Sequence, residues 1–364
     1  MGHLDKDIHQ KESAIRFCLA SGLLPFLEVN VGNRKELSST STVITDIDAL
    51  GLVIDASGAH RRVIFDCKTV NKTSPINRAF WASGLMKYAG CDEAFVILKK
   101  KASEAHRLSA KYIDVHLFNE TQFNHFATSY SIEYSLDYSY STDIKNWLTQ
   151  YDAYSKGSAF EKFGDFLNHE IPLENDAARG VKRLLAALIK GKGEFNPEKS
   201  LHVSVFQHVV MSFSLLMAQV VHDLKTVINF DSEKSEFELL LKYYIWGGKD
   251  AFEQRQKMHD LHRAGASSSL EIPEWDRFVE LTRMLLDSPK DVFLCCFPLR
   301  ELSLRTTKNI IKDKDIKLAH EIMGNSRLRQ FILSQTSYLV SAGQLPKEFN
   351  NKLVADLDDL REKI

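Results

Sequence analysis

Three carboxylates and one amine stand at period-two spacing in the stretch 43–68, which reads VITDIDALGLVIDASGAHRRVIFDCK. Two strand-forming runs flank the turn signal Asp55-Ala56-Ser57-Gly58. Side chains alternate faces along a strand, so Asp46 and Asp48 share a face, as do Asp66 and Lys68, while Phe65 and Cys67 point the other way. Antiparallel pairing of the two runs brings the acids and the amine together. Like charges on strands built for burial are costly unless something positive neutralises them. A divalent cation is the chemistry this pattern implies, and metal-assisted hydrolysis is the reaction class it suits.

The flanking sequence supplies elements that can hold such a site. Residues 10–21 place Ala14, Ile15, Cys18 and Leu19 at helical spacing before Gly22. Glu12 sits at the edge of that apolar stripe. Residues 23–31 (LLPFLEVNV) read as a strand with Glu28 among apolar neighbours. A polar loop is expected over 32–42, and another over 69–74. Ser74-Pro75 then opens a helix that Gly90 ends. Residues 94–98 form a short apolar strand, 103–111 a helix and 113–118 a further strand. The order is that of an α/β layer: a mixed sheet flanked by helices.

On these residues the chain resembles the restriction-endonuclease-like superfamily, the PD-(D/E)xK nucleases, and within it the branch of Mrr-type, RecB-type and Holliday-junction-resolvase-like domains. The matching positions are Glu12 on the first helix, Asp48 in Thr45-Asp46-Ile47-Asp48, and Asp66-Cys67-Lys68 on the next strand. The resemblance covers roughly residues 8–125. The chain departs from the pattern in three ways. No proline precedes either aspartate, the second acid is aspartate where glutamate is more usual, and the hairpin is slightly long. Asp46 competes with Asp48, which is preferred because apolar strand residues follow it at once. The resemblance implies a Mg²⁺-dependent endonuclease, with Mn²⁺ able to substitute. Asp48, Asp66 and the Cys67 backbone carbonyl would hold the ion, Glu12 would complete its shell, and Lys68 would orient water or stabilise the transition state. DNA is the implied substrate, and a homodimer is expected if both strands are cut. A role in prokaryotic defence against foreign DNA follows by analogy. DNA repair or junction resolution is the alternative within the enzyme class, and a non-catalytic nucleic-acid- or protein-binding module the alternative outside it.

The bulk numbers fit a two-domain soluble protein: 364 residues, 44% hydrophobic, 26% charged, formal net charge -1. That charge gives no global pull toward nucleic acid, but residues 61–111 hold 11 Lys/Arg against 4 acids, a local excess that suits phosphate contacts. Lys72, Arg78 and Lys99 to Lys101 are its candidate contact residues. Five cysteines without metal-ligand spacing and a polar N-terminus point to a reducing cytoplasm, with no structural zinc and no signal peptide. Residues 203–221 carry no formal charge, but Gln207, His208, Ser212, Ser214 and Gln219 interrupt the run, so it reads as a buried helix and not a membrane span.

The expected organisation is therefore a nuclease-like domain over 1–125, a Ser/Tyr-rich linker or edge segment over 126–141, and a helical domain over 142–364 that binds a partner or regulates the nuclease. Helices are expected at 142–155, 159–168, 175–191, 201–228, 235–246, 249–263, 273–287, 315–341 and 346–362. Within them, Arg255 and His262 are similar in spacing to the Arg/His pair of helical HEPN-type ribonucleases, a pattern that arises easily in a charged helix. His208 and His222 read as core histidines. No Gly-rich phosphate loop is present.

Overall fold

The structure, a computed structural model, describes residues 7–33, 42–68, 74–228, 233–262, 270–306 and 310–364, the side chain of His262 excepted. Two compact units are resolved by contact. Unit 1 comprises residues 1–173 and 301–318, and unit 2 comprises 174–300 and 319–364. This partition differs from the expected 1–125 and 142–364, because residues 142–173 pack with the sheet and the returning segment binds Ser139 and Tyr140.

Unit 1 opens with α1 (Ile8–Ala20) and a five-stranded sheet follows in sequence order: β1 (Leu24–Gly32), β2 (Val43–Ile54), β3 (His60–Lys68), β4 (Glu93–Leu98) and β5 (Val115–Asn119). The β1–β2 and β2–β3 pairs are antiparallel, while β3–β4 and β4–β5 are parallel. Parallel neighbours need crossovers, supplied by α2 (Pro75–Ala89) and α3 (Glu104–Lys111). The mixed sheet with flanking helices is the architecture expected from the sequence.

Parity decides what each face carries. Phe65 and Phe95 stack at 5.3 Å between ring centroids, and Phe17 of α1 meets them at 6.0 and 5.5 Å. Phe123 and Phe126 of α4 (Glu120–Tyr130) complete this aromatic core. With Phe65 committed to the α1/α4 face, its neighbour Asp66 must point to the other face, where α2 lies. The Ser/Tyr-rich segment forms a short 3₁₀ turn (Ile132–Ser135), not an edge strand.

Beyond it, α5 (Ile144–Tyr151) and α6 (Glu161–Asp165) lead into a single π turn, Phe166–Glu170. This extension is pinned to the sheet. The Tyr151 hydroxyl donates to the Leu27 carbonyl at 2.8 Å, and His169 Nδ1 accepts from the Asn30 N–H at 3.1 Å.

Unit 2 is helical. It contains α7 (Ala177–Gly191), α8 (Ser200–Lys225), α9 (Lys234–Trp246), α10 (Lys249–His262), α11 (Trp275–Leu285) and α12 (Pro289–Leu294). Next come α13 (Cys296–Arg305) and α14 (Lys312–Met323), which both cross the boundary between the units, then α15 (Ser326–Ala342) and α16 (Glu348–Arg361). The single helix expected over 315–341 is thus two, broken at Gly324-Asn325, where Asn325 caps α15. The apolar α8 is a core helix: 94% of its most hydrophobic window is buried.

Candidate metal and phosphodiester site

The site grows from the end of the β2–β3 ladder. The last paired residues are Ala49 and Phe65, so the next two, Asp48 and Asp66, stand opposite each other on the α2 face. Like charges directly opposite on neighbouring strands destabilise a sheet. Two features offset this. Asp48 takes up the next β3 donor itself: its Oδ2 accepts from the Cys67 N–H at 2.7 Å. Lys68 Nζ then lies 3.0 Å from Asp48 Oδ2 and 3.4 Å from Asp66 Oδ1, bridging the two acids. In a strand a residue's N–H and C=O point to the same side. The Cys67 carbonyl, assigned to the metal from sequence, therefore faces the Asp48 side of β3.

Asp66 carries a second cation. Arg78, in the first turn of α2, donates from Nε and Nη2 to the two carboxylate oxygens. Its guanidinium also lies over the Trp81 ring at 3.8 Å from the centroid. Both oxygens of Asp66 are thus occupied by a fork whose geometry matches a carboxylate or a phosphate equally well.

The remaining acids gather on the other side of Asp48. Oxygens of Glu28, Asp46 and Asp48 all lie within 4.8 Å of one another. Glu28 reaches this cluster from β1, where the register sets it across from Asp48. It adopts φ +52°, and the register passes from Leu27↔Ala49 to Val29↔Ile47 without pairing Glu28. A left-handed non-glycine residue costs of order 1 kcal/mol, so the backbone is strained at the position across from Asp48. Lys11 of α1, fully buried, forms an ion pair with Glu28.

Glu12 is placed differently from the sequence expectation. One residue along a helix is a rotation of about 100°, and α1 turns Lys11 inward, leaving Glu12 partly exposed with its carboxylate 3.8 Å from His9 Nδ1. Glu12 is not part of the described carboxylate cluster; Glu28 is the glutamate beside Asp48. The structure therefore brings together Asp48, Asp66 and Lys68 as expected, sets Glu12 apart, and adds Glu28, Asp46, Arg78 and Lys11.

Electrostatics follow from burial. Removal from water pushes the Asp48 carboxyl up to about 6; Asp66 pushes in the same direction, while Lys68 and the Cys67 N–H resist. Burial also raises Glu28, against the pull of Lys11. Burial disfavours the Lys68 ammonium, but Asp48 and Asp66 outweigh it and hold its pKa above the ordinary lysine value. Lys68 is thus a fixed cation and hydrogen-bond donor, not a base. The buried Cys67 thiol is pushed well above its usual range, which removes it as a nucleophile.

A cleft of about 440 Å³ opens beside Glu28 and Asp46, walled on the far side by Tyr151, Tyr154, Gly164 and His169. Burial drives His169 down to about 4, so its imidazole is neutral. Glu161 and Asp165 add two more acids to the lining, and Lys156 is its single ammonium. Such a cleft attracts cations and repels phosphates. Lys99, Lys100 and Lys101, by contrast, are exposed immediately beyond the C-terminal end of β4, level with Lys68 in the sheet. The local basic excess seen in sequence is only partly available. Arg61 pairs with Glu93, Arg62 is buried with its Nε on the Pro172 carbonyl, and Lys72 lies outside the described residues.

The donor set fits a hard divalent cation. Three carboxylates converge and offer oxygen ligands only, the donor type that hard divalent cations take. Elsewhere, His208 is wholly buried in α8 and held neutral by that burial. Arg255 of α10 is exposed and lies over the Trp246 ring at 5.8 Å, and the His262 side chain lies outside the described residues. No protein-family model, curated protein or solved structure matches the chain.

Proposed function

We propose that the protein is a Mg²⁺-dependent endonuclease hydrolysing phosphodiester bonds, with DNA as its substrate. The observation that carries this reading is Lys68 Nζ held between Asp48 and Asp66, at 3.0 and 3.4 Å, where β2 and β3 part. Asp48 with Glu28 and Asp46 would hold the metal ion, joined by Asp66 when Arg78 exchanges its carboxylate for a substrate phosphate. The ion, when bound, supplies an acidified water and charge neutralisation at the phosphoryl oxygens. Lys68 donates to the oxyanion that develops on the phosphoryl group, since it stays protonated in this site. Arg78 presents a bidentate fork to a phosphate. The acid-rich cleft admits the cation, and the nucleic acid approaches from the side of α2 and Lys99 to Lys101. Helices α2, α3 and α4 all begin just past the C-terminal ends of β3, β4 and β5, which aims their positive ends at that approach.

A cytoplasmic role in prokaryotic defence against foreign DNA, with the helical unit binding a regulator, belongs to the same proposal and rests on analogy of architecture. DNA repair or junction resolution would use the same chemistry. One observation favours a non-catalytic reading. The Arg78 fork already saturates Asp66, so a permanent guanidinium could replace the metal and leave a nucleic-acid-binding module.

Cleavage of supercoiled plasmid separates these readings. The enzyme reading expects nicking or linearisation with Mg²⁺ or Mn²⁺, none with EDTA, and at least a 100-fold loss in Asp66→Ala with an unchanged circular dichroism spectrum. Plasmid binding without cleavage in every metal, unaffected by Asp66→Ala, would establish the binding module instead.

A further inference from the structure

The outward face of α2 carries a ridge of aromatic side chains that the core does not use. Ala79, Ala82, Leu85 and Met86 are buried, while Phe80, Trp81 and Tyr88 are 58, 37 and 41% exposed. Positions 77, 80, 81, 84, 87 and 88 recur at three- and four-residue spacing and form one surface. Gly84 lies in the middle of it. A glycine inside a helix lowers helix stability, and a side chain here would meet nothing within 4 Å. Packing therefore does not explain why position 84 is bare; its effect is an open floor between two sets of rings.

Charge and connectivity indicate what the ridge fits. The 15 residues of α2 contain no acid, and Arg78 and Lys87 flank the rings. The ridge is tied at both ends to the strands that bear the carboxylates. Arg78 joins it to Asp66 of β3, and the Tyr88 hydroxyl donates to the Gly32 carbonyl of β1 at 3.2 Å. Three rings spread along an open helix, interleaved with cations, do not make the continuous apolar patch of a protein interface. They do match an unpaired nucleic-acid strand, whose bases stack on aromatic rings while its phosphates meet the cations. A duplex keeps its base faces in its own stack and cannot use such a surface.

We propose that the outer face of α2 is a stacking platform for single-stranded nucleic acid, so that the favoured substrate is a strand, flap or gap and not intact duplex. The inference rests on the nuclease reading for its functional meaning, but binding to the platform needs no metal. The test is fluorescence anisotropy with a labelled 20-nucleotide strand and the matching duplex, both in EDTA. Full-length wild type is compared with a Phe80→Ala/Tyr88→Ala double variant and with Gly84→Glu. All replaced side chains are exposed or face open space, and thermal melting checks that the variants fold. Wild type is expected to prefer the single strand by about 10-fold or more. The double variant should weaken single-strand binding by about 25-fold or more, leaving duplex binding unchanged. Gly84→Glu should act in the same direction by filling the floor with an acid. Unchanged single-strand affinity in both variants would overturn the platform while leaving plasmid cleavage, and with it the nuclease reading, intact. A change of oligomeric state with intact strand affinity would also overturn it, assigning the ridge to contact between copies. A wild type that neither binds nor cleaves nucleic acid would remove both.

Discussion

Asp48 is the residue on which the site's electrostatics turn. Its carboxyl titrates at about 6 in the fold against 3.8 for the free side chain. Between those values the folded state keeps a proton that the unfolded state has released, so this group makes stability fall as pH rises through the window. The full shift corresponds to about 3 kcal/mol, a ceiling for one strongly coupled group. His169 acts with the opposite sign. Held neutral down to about 4 against an ordinary 6.5, it makes stability rise with pH between those values. Asp48→Asn keeps an oxygen for the Cys67 N–H and removes the buried charge. The variant is expected to be more stable than wild type at pH 7.5 without metal, by on the order of 1 kcal/mol in urea unfolding. Its stability should also rise from pH 4 to 6.5, as the His169 contribution is left alone. Added Mg²⁺ should raise the melting temperature of wild type at pH 7.5, less so below pH 6, and not that of the variant. A variant less stable than wild type at pH 7.5 would mean that Asp48 serves the fold and not a cation.

At the scale of elements, α1 and the β1–β2 pair set the site, and they show how far sequence reasoning reaches. The hairpin parity that joins Asp48, Asp66 and Lys68 was legible, because strand alternation is enforced by the Phe65–Phe95 core on the opposite face. The third acid was not placed correctly. Lys11, Ala14, Ile15 and Cys18 share helical spacing, so Lys11 was readable as inward-facing, but a buried lysine is expected only if a partner is known. That partner, Glu28, was visible as a lone carboxylate among apolar residues. Its place across from Asp48 is set by the β1–β2 register, which the apolar pattern of β1 alone does not specify. Helix α4 also went unread, although Asn119 and Gln122 form a reciprocal capping box with a sequence signature. The contact of α1 with β2 is close at Gly51, where an added Cβ would lie 2.8 Å from Cys18 Sγ and 3.0 Å from Leu23. Gly51→Ala is therefore expected to destabilise the protein by roughly 1–3 kcal/mol in urea unfolding. Unchanged stability would show that α1 is free to move relative to the strand that bears Asp48.

Over the whole molecule, a neutral chain concentrates acids at one sheet end and surrounds them with fixed cations. The division into a sheet-bearing and a helical part was legible from periodicity alone. The extent of the sheet-bearing unit was not, because residues 301–318 return to it from far along the chain. Glu301 accepts from the Ser139 hydroxyl at 2.7 Å, Lys314 donates to the Ser139 carbonyl at 2.7 Å, and the buried Arg305–Asp315 pair closes at 2.8 Å. These polar contacts have no periodic signature. The claim that joins all three scales is that the sheet end holds one divalent cation through Asp48 and Glu28. Its most direct test is titration of Mn²⁺ into the full-length protein at pH 7.5, followed by electron paramagnetic resonance of the free ion. The account predicts one site per chain in wild type, lost in Asp48→Asn, weakened at least 10-fold in Glu28→Gln and retained in Glu12→Gln. Mn²⁺ left wholly free beside wild type, or binding that depends on Glu12 and ignores Glu28, would contradict it.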